Sequence, residues 1–180
     1  MYLCSMVAKE NENINLVSFS DIAVIGINSG LMDFKLAWSL NDALSLDLTR
    51  RNDFVSNGDV YPLYHCHLYE NSPIYDLLSL NSGGKTLIRF KPRIDYLFLI
   101  QNEPYLERID NMLLKIKEMD GIAYAYMMEG QRSKIEPILY DLEQHEVDML
   151  ALERERNTVE YALEQIRKRD ERLGMKAKKH

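Results

Sequence analysis

Apolar and β-branched residues fill both parities of Ile22-Ala23-Val24-Ile25-Gly26-Ile27, the pattern of a strand buried on both faces. Asn28-Ser29-Gly30 breaks that run, Ser29 is placed to cap the next helix, and Gly30 suits a tight turn. From Leu31 to about Leu46 the spacing turns helical, with Phe34, Ala37, Trp38, Leu40 and Leu44 on one broad face. Arg50 to Asp59 reads as a polar connection. A β-rich middle comes next: Tyr61–Glu70 alternates, Ile74–Leu80 is a second short run, Asn81-Ser82-Gly83-Gly84 is a turn, and Lys85–Phe90 and Ile94–Ile100 are strands split at Lys91-Pro92. Asn102-Glu103-Pro104 opens a helix carried by Leu106, Ile109, Leu113 and Ile116, and Gly121 ends it. Ile122–Met128 is the last strand. The order β-α-β-β-β-β-α-β predicts an α+β fold, a two-layer sandwich of an antiparallel or mixed sheet with two covering helices.

Beyond Gly130-Gln131 the composition shifts to a long charged amphipathic helix. The expected organisation is therefore a flexible N-terminus over 1–20, an α+β domain over 20–130 able to fold alone, and a C-terminal helix within 131–180. Glu136-Pro137 is its expected start and Gly174 its end, a rod of about 55 Å. Acidic residues crowd its early turns (Glu136, Asp141, Glu143, Glu146, Asp148) and basic ones its end (Arg167, Lys168, Arg169, Arg172), both suited to the helix dipole. A heptad register places Leu142, Met149, Arg156, Leu163 and Asp170 at one seam position and His145, Leu152, Val159, Ile166 and Leu173 at the other. The apolar members Leu142, Met149, Leu152, Val159, Leu163, Ile166 and Leu173 form the candidate interaction seam. Parallel pairing of two copies would oppose Asp141 to Glu146, Asp148 to Glu153 and Glu155 to Glu160, which repel. Antiparallel pairing, with a second copy or a partner's helix, brings the acidic half beside the basic half; the alternative is a helix folded back on its own domain.

One segment carries a family resemblance. Ile88-Arg89-Phe90-Lys91-Pro92-Arg93-Ile94-Asp95-Tyr96 is similar to the motif that names the IPExxxVDY family of Bacteroidetes-type bacteria. Ile88, Asp95 and Tyr96 match, Ile94 stands in for the valine, and Arg89 and Phe90 replace the proline and glutamate. Ile25-Gly26-Ile27 with Leu31–Asn41, Leu78-Ser79-Leu80-Asn81 and Ile122-Ala123-Tyr124 resemble other segments of that family. The resemblance covers roughly residues 20–140 and implies a small cytoplasmic bacterial protein, with no assigned chemistry.

The net charge of −6 argues against a general nucleic-acid binder, which needs a positive field. Cys4 and Cys66 form no disulfide framework or zinc pattern, and no cofactor motif is complete. Residues 1–13 lack the charged and apolar regions of a signal peptide, and no apolar run nears 18 residues, so the expected location is the cytoplasm. Gly84-Lys85-Thr86 resembles the end of a phosphate loop, but Ser79 stands where a glycine is needed and strands flank both sides. Gly26 and Gly30 link strand to helix without the third glycine of a dinucleotide site. His65 and His67 share a strand parity with Tyr61, Leu63 and Tyr69, expected to be a solvated face; with His145 or Glu70 they suggest at most an incomplete zinc site. Cys66 falls on the opposite face as a buried thiol. Tyr96 reads as a core ring on the face of Ile94, Phe98 and Ile100, and Asp95 as a partner for a local backbone donor. Arg89, Lys91 and Arg93 amid tyrosines raise single-stranded RNA as a minor alternative. The leading expectation is a non-enzymatic protein–protein interaction or adaptor module acting through the C-terminal helix. The alternatives are an enzyme with a site near His65/His67 and an RNA-binding accessory protein. No catalytic or metal-ligating residue is singled out.

Overall fold

The computed structural model describes residues 21–177. In chain order it contains β1 (Ile22–Ser29), α1 (Asp33–Leu44), β2 (Thr49–Arg50), β3 (Phe54–Ser56), β4 (Asp59–Tyr61), β5 (Leu63–Cys66) and β6 (Ile74–Ser79). Then come β7 (Asn81–Ser82), β8 (Lys85–Thr86), β9 (Tyr96–Gln101), α2 (Leu106–Glu118), β10 (Ile122–Met127) and α3 (Arg132–Ala177). The fold is α+β. Six strands form one antiparallel sheet in the order β10-β1-β9-β6-β5-β2, and two small hairpins, β3-β4 and β7-β8, stand beside it.

The continuous apolar runs of β1 and β9 are explained by burial of both sheet faces. On one face Ile25, Ile27, Leu77, Phe98 and Ile100 pack against Leu36, Ala37 and Leu40 of α1 and Ile109 and Ile116 of α2. These are the two expected covering helices. On the other face Val24, Leu63, Leu78, Leu97 and Leu99 pack with Phe54, Tyr61, Phe90 and Ile94, and with Ile135, Ile138 and Leu139 of α3. The long helix therefore adds a partial third layer. Its start coincides with the boundary expected at residue 131, but its first turns lie in the core of the domain.

Several expectations are corrected. Phe34 and Trp38 do not join the buried face of α1: they are 53% and 70% exposed, because that face is centred on Leu36, Ala37 and Leu40. The connection Arg50–Asp59 contains β3 and the start of β4. Lys85–Phe90 is a strand only at Lys85–Thr86; Leu87, Ile88 and Phe90 are apolar because they pack beneath the sheet, through a loop that includes a cis Lys91-Pro92 bond. Arg89, Lys91 and Arg93 consequently share no strand face.

Ser29 does not cap α1. Its hydroxyl donates to the Gly121 carbonyl (2.8 Å) and accepts from the Leu31 N–H, fastening the turn to the loop before β10. Gly30 has open space around it and no left-handed backbone; the constrained glycine of this region is Gly26, where a Cβ would lie 2.5 Å from the Met128 Sδ.

Helix α3 starts at Arg132, not Glu136, and continues through Gly174. Pro137 lies in its second turn, and the carbonyl it leaves without a helical donor belongs to Ser133, which is exposed to water. That exposure is why the helix tolerates a proline there.

Candidate functional site

Two features stand out, and both are built on α3. The first is the seam. Leu142 and Met149 turn toward the protein's own sheet: Leu142 packs against the lower core, and Met149 accepts a contact from the Asn52 side-chain amide at 3.6 Å. His145 between them meets the edge of Phe54, with ring centroids 5.8 Å apart, and its Nε2 lies 3.4 Å from the Asn52 carbonyl. Further along, the same stripe leaves the domain. Leu152, Val159, Leu163 and Ile166 are 55–60% exposed, and every described side chain from Ala151 to Lys168 is exposed. The side chain of Leu173 lies outside the described residues. The structure thus divides the expected seam, with its first two turns used internally and the rest projecting.

The second feature is a cavity of about 200 Å³ between the sheet and the first half of α3. Its floor includes Leu63, His65, Asp76, Leu99 and Gln101, and its roof Leu142, Glu143, His145, Glu146 and Met149. Strand register builds the floor. His65 on β5 is directly opposite Asp76 on β6, close enough for their side chains to pair. His65 Nδ1 lies 2.8 Å from Asp76 Oδ1, and Gln101 Nε2 donates to Asp76 Oδ2 at 3.2 Å. The His65 side chain is 8% exposed and that of Asp76 13%. Asp76 engages Nδ1, which leaves Nε2 as the ring nitrogen of His65 without a partner among the described residues.

This corrects the expected solvated histidine face. Alternation gives the parity of His65, but α3 covers that parity, so the side chain is buried. β5 ends at Cys66, and His67 beyond it is exposed, its ring centroid 6.4 Å from that of His65. Among the described residues no three His, Cys, Asp or Glu side chains are arranged to hold a metal ion. His145 does reach the same cavity, from the opposite wall. Cys66 is buried on the α1/α2 face; Cys4 lies outside the described residues. Asp76, Gln101 and the α3 carboxylates were absent from the expected site. A lone aspartate inside the apolar run Ile74–Leu80 was the available signal.

The residues of the Ile88–Tyr96 segment have structural partners. Asp95 is buried and takes no local backbone donor, contrary to expectation. It accepts from the amides of Asn28 (2.7 Å) and Asn81 (3.1 Å) and from the Arg93 guanidinium (2.9 Å). The reason is topological: three separate segments converge there, and only side chains reach the carboxylate. Tyr96 is a core ring whose hydroxyl donates to the Leu31 carbonyl at 2.6 Å. Ile94 belongs to the opposite core from Tyr96, because β9 begins only at Tyr96. Ile88 is half-buried beside the groove where Arg89, Lys91 and Lys134 are exposed.

No family model, curated protein or solved structure matches the chain. No described helix is long and apolar enough to cross a membrane.

Proposed function

We propose that the protein is a non-enzymatic interaction module that associates through the projecting half of α3, in antiparallel register with α3 of a second copy. The observation that carries this reading is the exposure of Leu152, Val159, Leu163 and Ile166 on one stripe of a helix whose base is fixed to the domain. An isolated arm of about 40 Å with this apolar content gains stability by covering the stripe. Charge favours the antiparallel sense. Glu153, Glu155 and Glu160 of one arm then lie beside the Arg167–Arg172 region of the other, whereas parallel arms place like charges together. The resemblance to the IPExxxVDY family adds a cytoplasmic bacterial setting.

Light scattering of the full chain, beside a Leu163→Asp, Ile166→Asp variant, tests the proposal. A dimer that becomes a folded monomer in the variant supports it. A wild-type monomer at tens of micromolar overturns self-pairing. Partners captured from cytoplasm and lost on the same substitutions would then point to a foreign helix.

A further inference from the structure

We infer that the cavity beneath α3 is a binding site for a small organic cation, an amine carrying a compact apolar body. The inference is independent of the self-pairing above. The size is right for a fragment: a dry cavity of about 150 Å³ accepts a benzene-sized ring, and this one measures about 200 Å³. The apolar wall is supplied by Leu63, Leu99, Leu142 and Met149.

The polar wall is rich in acceptors. The Asp76 carboxylate holds the His65 Nδ1–H and the Gln101 amide, so these two donors of the floor are already used. His65 Nε2 has no hydrogen-bond partner among the described residues, although the side chain is more than nine-tenths buried. His145 reaches the cavity from the roof, its Nε2 3.4 Å from the Asn52 carbonyl. Glu143, Glu146 and Glu153 add negative charge from the roof, and exposed Arg51 is the one lysine or arginine among the described lining residues. A wall that holds the carboxylates of Asp76, Glu143, Glu146 and Glu153 against one guanidinium selects a ligand that donates and is positive. An ammonium group does both, and a carboxylate of equal size meets repulsion and lone pairs.

Calorimetry on the full-length protein tests this with two probes of the same ring and chain length, 2-phenylethylamine and phenylacetate. The expected result is saturable one-to-one binding of the amine and binding of phenylacetate weaker by at least about tenfold. A Glu143→Gln, Glu146→Gln variant, altered only at the helix roof, should weaken the amine by about tenfold. Met149→Trp, which fills the cavity from above, should abolish it, and circular dichroism of both variants reports that the fold is kept. Equal affinity for the two probes, no saturable amine binding to the folded protein, or binding unmoved by either variant overturns the assignment.

Discussion

Asn28 donates its side-chain amide to Asp95 across 2.7 Å, joining the end of β1 to the segment that leads into β9. Asn81 holds the other carboxylate oxygen from the start of β7, so one buried side chain ties three segments at one end of the sheet. Asp95→Ala strands two amide donors. Hydrogen bonds to a charged group contribute about 1.5–3 kcal/mol, and the two amides left behind are half-buried. The expected loss is roughly 2–4 kcal/mol in urea unfolding. A loss under about 0.5 kcal/mol would show the cluster to be solvated rather than structural.

Truncation separates the two halves of α3. A chain ending at residue 150 keeps Ile135, Ile138 and Leu139 in the core and should still unfold in one sharp transition, short of the full-length midpoint only by what pairing of the arms contributes. A chain ending at residue 130 exposes that core. Three aliphatic side chains at about 1.5–3 kcal/mol each amount to on the order of 5 kcal/mol, a large share of a typical domain's stability. Sharp thermal transitions of equal midpoint for both truncations would mean that the helix base is only resting on the sheet.

Alkaline pH should destabilise the fold. Burial, then the hydrogen bond to Asp33, pushes the Tyr64 phenol up to about 12 from its ordinary 10. Burial, then the nearby Asp33 and Asp95 carboxylates, does the same for Tyr96. In both cases the folded state holds the phenolic proton more tightly than the unfolded state. The stability this gives is complete below pH 10 and is lost as pH rises toward about 12. Urea midpoints measured across that window, with phenolate absorbance read in parallel, should fall as these two rings ionise. A midpoint that stays level through the window contradicts the burial of their hydroxyls.

Local pattern made most elements readable. β1, β9 and β10 are apolar runs, and α2 has regular helical spacing and a proline before its start. What local pattern lacks is the partner. That β9 lies between β1 and β6 depends on pairing across nearly eighty residues for Ala23 with Ile100, and nothing near either residue encodes it. The same gap explains the histidine face, since the parity of His65 was legible but the cover over it belongs to a helix seventy residues later. Phe34 and Trp38 misled because hydrophobicity ranks them with the core, whereas Leu36 and Leu40 fill it. Pro137 suggested a helix start because prolines favour first turns, and the exposed Ser133 carbonyl that permits it further in is visible only in three dimensions.

An unbroken α-helix clamped at one end is a lever arm. The clamp lies between Ile135 and Met149, and about 40 Å of stiff rod extends past it. A tilt of about 5° at the clamp sweeps the far end through roughly 3–4 Å over that length. Small changes in packing beneath Leu142 and Met149 are therefore magnified into sideways displacements of the tip larger than the roughly 2.3 Å radius of a helix backbone.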